Sequence, residues 1–414
     1  MAVGVMTADR SRWLRFAMAM GPGIVVMLAD TDEGSVITAA QSGARWGSRL
    51  LLFQFALIPV LFVAQELSAR LGLVTGKGYG ELITRGFGPL LSRLTMAALI
   101  ISCFGALVMQ MSGIAGLAQI FGIPVWQTVM AMAAMIFTMV LSGSYHSLEK
   151  AALFLGAFEL AFLAVAWRAV GAHHDLLRGA LDQPFANHDY LYLLAANLGT
   201  CIMPWTVAYQ QSAVVDKGLT VKDLKMSRLE TLGGAVLSQL ITAAVLIAAA
   251  ATFYKDSRTQ GLDSVAQIAA AFAEHLGGTF GHLVFALGLS GGALVATIVV
   301  CLTSAWSIGE ILGLRHSLEH HPREAPIFYG SFLLMLAVGG TLVASGVNLV
   351  RLSIAMGVLN AMLLPLMLWC LYRLARHCLP AGQRIEGAYA VAVATLFLAT
   401  GGLGLYAGLM GALG

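Results

Sequence analysis

The stretch MLADTDEGSVITAA, residues 27–40, places Asp30, Asp32 and Glu33 within four positions, directly after an apolar run. An acidic side chain at the centre of a membrane helix costs about 2.5–3.5 kcal/mol on insertion scales, so three are tolerated only where cationic or aqueous groups meet them. No lysine or arginine accompanies them at the same depth, and an oxygen-rich negative cage of this kind selects a cation. A second distinctive stretch, LAANLGTCIMPWTVAYQQSAVVDKG, begins at residue 194. Pro204 removes an amide donor there, as Gly34 supplies backbone freedom in the first stretch. Both segments are expected to unwind, from Asp30 to Ser35 and around Gly199 to Pro204. Carbonyls freed by unwinding are tolerated at membrane depth only where they line a cavity or hold a ligand. Asp32 with such carbonyls suits a hard divalent ion, and the Met203 thioether adds a softer ligand that favours manganese or iron over calcium and magnesium. Asp30 and Glu33 are candidates for the same cage, or for facing a vestibule or capping the second half-helix.

The elements that must position these groups are membrane spans. The chain of 414 residues is 58% hydrophobic and 11% charged, with a mean hydropathy of +0.82, far from the composition of a soluble domain. A net charge of +3 without a basic run excludes a nucleic-acid partner. The five cysteines, Cys103, Cys201, Cys301, Cys370 and Cys378, form no CxxC pair and read as small buried hydrophobes. A helix needs about 20 residues to cross the hydrocarbon. Eleven stretches meet that length, at 16–44, 50–73, 92–120, 124–142, 148–170, 189–215, 228–253, 282–312, 326–346, 349–374 and 386–412. Arg10, Arg12 and Arg15 precede the first without a small-residue cleavage site, which reads as a retained span rather than a signal peptide. With the amino terminus inside, 17 of the 24 lysines and arginines fall on the inner side, which favours a cytoplasmic amino terminus and an extracytoplasmic carboxyl terminus.

The two unwound segments fall in the first span of spans 1–5 and the first span of spans 6–10. That spacing predicts an all-α integral membrane protein: one transmembrane domain over 1–414, built as two five-helix repeats of opposite orientation, about 16–170 and 189–374, with an extra helix at about 386–412. In such folds the substrate sits between the broken helices at the midplane. Glu66 and Arg70, four apart, are expected to pair. His173, His174, His320 and His321 fall in loops, and Glu159 in span five has no role in this reading.

The segments GPGIVVMLADTDEGSVITAAQSGARWG, QELSARLGLVTGKGYGEL (65–82) and GTCIMPW (199–205) together resemble the NRAMP family of divalent-metal transporters, over most of the chain. The resemblance implies a LeuT-type fold of 5+5 inverted repeats. By position it implies metal ligation by Asp32, Ser35, the Thr200 carbonyl and Met203. The family's Asp-Pro-Gly-Asn motif reads Asp32-Glu33-Gly34-Ser35 here, which implies a wider, more anionic site. The family histidine two residues after the methionine is Trp205, and the span-three acids that serve proton movement correspond to Ala106 and Met109. An indole neither titrates nor conducts a proton. The pattern resembles the divergent NRAMP-related branch that takes up magnesium and manganese without proton coupling. Gln41 resembles a family glutamine, Asn360 lies where the family carries polar groups facing the pathway, and Tyr209, Gln210 and Gln211 give span six a polar wall. These residues either line the pathway or bond neighbouring helices.

The resemblance thus implies a carrier moving Mn²⁺ or Mg²⁺ into the cytoplasm by alternating access, with the metal as substrate, no cofactor and no obligatory protein partner. Its place is the lipid bilayer of a cell membrane of the bacterial inner-membrane type. The alternatives are a proton-coupled Mn²⁺/Fe²⁺ importer and a small-solute symporter of the same fold. GLSGG (288–292) formally fits a serine-nucleophile pattern, but catalysis there needs a strand-turn-helix context or a paired membrane histidine, so no enzyme is expected.

Overall fold

The computed structural model describes residues 21–141, 145–170, 176–254, 265, 267–269, 278–318, 320–346 and 348–413. Among the described residues every regular element is helical. The elements are α1 (Pro22–Asp30), α2 (Glu33–Trp46), α3 (Leu51–Thr75), α4 (Tyr79–Gly86), α5 (Pro89–Ile120), α6 (Val125–Leu141) and α7 (Tyr145–Gly156). A 3-10 turn (Ala157–Leu160) leads into α8 (Ala161–Val170) and α9 (Leu176–Leu181), followed by α10 (His188–Cys201), α11 (Pro204–Asp216) and α12 (Leu224–Phe253). The chain then runs through α13 (Thr279–Leu312), α14 (Pro326–Ala344), α15 (Leu349–His377) and α16 (Gly387–Leu413).

Eight segments are long and apolar enough to cross a bilayer, counting α10 with α11 as one, and α6 is a shorter apolar helix. The interrupted pairs α1–α2 and α7–α8 bring the described spans to eleven. This is an integral membrane protein. Their limits follow the hydropathy reading within a few residues, except that α7–α8 is broken by the 3-10 turn, which the apolar pattern does not show. The arginines before α1, together with Lys255, Arg258, His173 and His174, lie outside the described residues. Large apolar side chains such as Leu90, Trp126, Trp167 and Leu398 point outward, as lipid contact requires and water would oppose.

Both expected breaks occur, and both are shorter than the sequence suggested. α1 stops at Asp30 and α2 starts at Glu33, leaving Thr31 and Asp32 between them. The Asp32 carboxylate makes this possible, because its Oδ1 accepts the Ser35 amide at 2.9 Å and caps α2. In the second break only Ile202 and Met203 are non-helical, with Met203 extended at the start of α11 and Pro204 in its first turn. Proline is compatible with that position because a first-turn amide has no helical partner.

Neither glycine plays the part expected of it. Gly34 lies within the first turn of α2 without a positive φ. A Cβ there would come 3.0 Å from Met109 Sδ and 3.3 Å from Asp32 Oδ1, so this glycine provides room. Gly199 is inside α10, where a Cβ would meet the Gly357 carbonyl at 1.9 Å. It lets α10 and α15 approach closely and is no part of the break.

At the end of the bundle that carries α4, three elements are tied to one acid. Glu310 near the end of α13 accepts the Gly80 amide at 2.6 Å and the Ser212 hydroxyl at 2.8 Å. A Cβ on Gly78 would sit 1.8 Å from Glu310 Oε1, which fixes glycine there. Beside them Arg70 pairs with Glu66 at 2.6 Å, as its spacing predicts, and Arg228 joins the same carboxylate at 2.6 Å. At the opposite end Arg49 pairs with Asp182 at 2.5 Å.

Candidate metal centre

The two breaks meet. Ser35 Oγ lies 2.7 Å from the Asp30 carbonyl oxygen and 3.1 Å from that of Thr200. The Thr38 and Thr200 hydroxyls are 3.1 Å apart. Asp32, Ser35, Thr200 and Met203 are all buried. With its proton directed to carbonyls, the Ser35 hydroxyl keeps lone pairs for a third partner.

Asp32 is held by a residue that the sequence reading missed. Gln110 on α5 donates from Nε2 to Asp32 Oδ2 at 2.6 Å and accepts the Glu33 amide at 3.1 Å. One amide side chain therefore orients the carboxylate and satisfies the second residue of the motif. Each Asp32 oxygen then accepts one hydrogen bond, leaving acceptor capacity on both. A polar residue in an apolar run was the only signal for Gln110, and many such residues bond a neighbouring helix without further role.

The three acids do not share one cage. Asp30 turns toward α12, where Ser238 Oγ lies 3.3 Å from its Oδ2. Glu33 turns toward α15, and both its oxygens accept from Ser353 Oγ, at 3.0 and 3.1 Å. Neither caps α2, since Asp32 does. Among the described residues no three histidine, cysteine, aspartate or glutamate side chains converge where they could hold one ion. Successive residues of an unwound turn point in different directions, and sequence adjacency could not show this.

Met203 and Trp205 answer one another. The indole Nε1 donates to Met203 Sδ at 3.0 Å, engaging one sulfur lone pair. Met109, where the resemblance implies loss of an acid, brings a second thioether beside Gly34 and Asp32.

The remaining candidates are dispersed. Gln41 is buried on α2. Tyr209 is buried with its ring 5.6 Å from that of Trp306, centroid to centroid. Gln210 is buried with neither amide atom hydrogen-bonded among the described residues. Gln211 donates to the Lys77 carbonyl at 3.0 Å and belongs to the α4 end of the bundle. Asn360 accepts the Ser102 hydroxyl at 2.8 Å, bonding α15 to α5. Ser290 lies inside the continuous helix α13, without the turn a nucleophile needs.

An all-helical membrane protein whose first and sixth spans unwind opposite one another has the architecture of a LeuT-type transporter. The family model described as "Natural resistance-associated macrophage protein-like" (Nramp) matches residues 23–409, and the chain belongs to that family, whose members are membrane transporters and not enzymes. It is 28% identical to the divalent metal cation transporter MntH 1 of Pseudomonas aeruginosa, over 61% of this chain and 60% of that relative's length. It is 26% identical to MntH of Acidiphilium cryptum over 94% of this chain and 90% of that one. The crystal structure of the Eremococcus coleocola manganese transporter superposes with a TM-score of 0.73 at 18% identity, covering 96% of this chain and 87% of that one.

Proposed function

We propose that this protein carries divalent metal ions, Mn²⁺ and Mg²⁺, into the cytoplasm by alternating access, with Asp32, Ser35 and the Thr200 carbonyl as ligands and little or no coupled proton movement. The single observation that carries the reading is the Ser35 hydroxyl between the Asp30 and Thr200 carbonyls, next to the Asp32 carboxylate that caps the same turn. It gathers charged and neutral oxygens from both breaks, a donor set for a hard dication. Family membership and the names of the metal-transporting relatives support the substrate class.

The Mn²⁺/Mg²⁺ breadth rests on sulfur. A thioether favours manganese, and Met203 offers one, but its hydrogen bond from Trp205 weakens it as a donor. Oxygen ligands then dominate, and magnesium keeping part of its water shell is accommodated. Weak proton coupling rests on Trp205, Ala106 and Met109, none of which titrates near neutral pH. Asp30 and Glu33, bonded to Ser238 and Ser353, contribute negative field at the break without joining the coordination shell. The excess of lysine and arginine at the α4 end of the bundle supports that end as cytoplasmic.

The test is uptake into liposomes with lumenal pH followed in parallel. Mn²⁺ and Mg²⁺ should enter and compete with each other, Asp32→Ala should abolish both fluxes with folding retained, and the lumen should acidify little. Uptake unaffected by Asp32→Ala would overturn the site, and a robust metal-driven proton flux would overturn the coupling.

A further inference from the structure

Glu159 is a buried acid to which the proposed transport assigns no role. It sits on the 3-10 turn interrupting the fifth span, is 0% exposed, and neither carboxylate oxygen has a hydrogen-bond partner among the described residues. A buried polar group left unsatisfied is costly, and more so if charged. Such a group persists where it has work to do.

What faces Glu159 narrows the ligand. A Cβ on Gly292 of α13 would lie 2.8 Å from Glu159 Oε1 and 2.8 Å from the Thr31 carbonyl oxygen. The two oxygens are therefore no more than twice that distance apart, both bordering a spot that glycine leaves without a side chain. Thr31 belongs to the first break, and its hydroxyl, which also faces the Glu159 carboxylate, donates to the Met27 carbonyl at 3.0 Å. The Thr31 carbonyl accepts no backbone hydrogen bond among the described residues. On the preceding residue, Asp30 Oδ1 is also unpartnered. The atoms gathered here are oxygens, two of them on carboxylates, and the one nearby hydroxyl gives its proton to the Met27 carbonyl, so an anion is disfavoured. A hard cation finds a carboxylate and a freed carbonyl.

Charge points the same way. Asp30, Asp32, Glu33 and Glu159 are all buried, and no ion pair among the described residues includes any of them. A dication at Asp32 compensates only part of this concentration of acids, and buried charge must be paired or coordinated.

We propose that the Glu159 carboxylate and the Thr31 carbonyl, with the free oxygen of Asp30, form a second cation site for a hard ion held by oxygen alone, distinct from the Asp32–Ser35–Thr200 site. Gly292 provides the space and the unwinding at Thr31 provides the carbonyl. An alkali cation there would be a co-bound ion, whereas Mg²⁺ or Mn²⁺ there would be a second copy of the substrate.

Equilibrium binding of Na⁺, K⁺, Mg²⁺ and Mn²⁺, each as its chloride, to the purified full chain tests this. The unaltered protein should bind one cation more than the Asp32 site accounts for. Asp32→Ala should keep that additional ion, while Glu159→Gln, which preserves shape and removes charge, should lose it and keep the other. Gly292→Ala should lose it as well, by filling the spot. Retention of Na⁺ or K⁺ in Asp32→Ala identifies a co-bound ion, and retention of Mg²⁺ or Mn²⁺ identifies a second substrate ion. The proposal is overturned if the unaltered protein binds no more than one cation per chain in every one of the four salts and in mixtures of Mg²⁺ or Mn²⁺ with Na⁺ or K⁺. It is equally overturned if Glu159→Gln binds as many cations as the unaltered protein. The stoichiometry of the unaltered protein decides the matter even if a variant fails to fold, and a failure at Asp32 leaves the Glu159 result standing.

Discussion

Asp32, the ligand proposed above, is held at both of its oxygens. One oxygen caps α2 and the other is held by Gln110, so the carboxylate is oriented before any ion arrives. Removing the orienting group of a metal ligand typically costs about 10–100-fold in affinity. Gln110→Leu is therefore expected to raise the metal concentration for half-maximal uptake by about that factor with folding intact, measured as Mn²⁺ and Mg²⁺ transport in liposomes. An unchanged concentration dependence would mean that Gln110 only bonds α5 to the first span. The sulfur can be probed from both sides. Met203→Ala should weaken Mn²⁺ uptake more than Mg²⁺ uptake, and Trp205→Phe, by releasing the thioether from the indole N–H, should shift preference toward Mn²⁺. Equal effects on the two ions in both variants would show that the Met203 sulfur does not touch the ion. Asp32 and Met203 stood out in the sequence as candidates because an acid in an apolar span and a residue beside an intramembrane proline each need a reason. Gln110, Ser353 and Ser238 were not, since a single polar residue on a helix does not say which neighbour it faces.

At the scale of elements, the breaks are set by two capping devices, a carboxylate at Asp32 and a proline at Pro204, each needing only a two-residue interruption. The glycines near them act between helices. Gly199→Ala would drive a methyl group into the Gly357 carbonyl, and overpacking of this kind costs about 1–3 kcal/mol. A lower melting temperature with separation of α10 from α15 is expected, read by thermal unfolding in detergent. The α4 end of the bundle depends on Glu310, which ties α4 to α11 and α13. Glu310→Ala should free α4 while leaving the ligands at the breaks in place. Hydrogen exchange of residues 79–86 should then accelerate relative to the unaltered protein, and equal rates would show that packing alone holds this helix. The 3-10 turn at 157–160 escaped the sequence reading because Ala-Phe-Glu-Leu contains neither glycine nor proline.

At the scale of the whole molecule, ion pairs among the described residues lie toward the ends of the bundle, whereas the acids around the first break join none. Glu66 joins Arg70 and Arg228, and deleting one partner of a buried ion pair costs about 3–5 kcal/mol because the other charges remain. Glu66→Gln is thus expected to reduce stability by an amount of that order, partly relieved by the exposure of Arg228, and normal stability would show that Arg70 finds another acceptor. The sequence by itself determined the class of protein, the number of spans and the two places where they unwind. Each of these follows from what hydrocarbon tolerates: about 20 apolar residues per crossing, and no broken backbone or acid without a purpose. Only the tertiary structure decided how the acids divide, with Asp32 toward Gln110, Glu33 toward Ser353, Asp30 toward Ser238, and Glu159 arriving at Thr31 from the fifth span. Directions at an unwound turn, and contacts between helices far apart in the chain, are fixed by packing, which hydropathy along a single sequence does not encode.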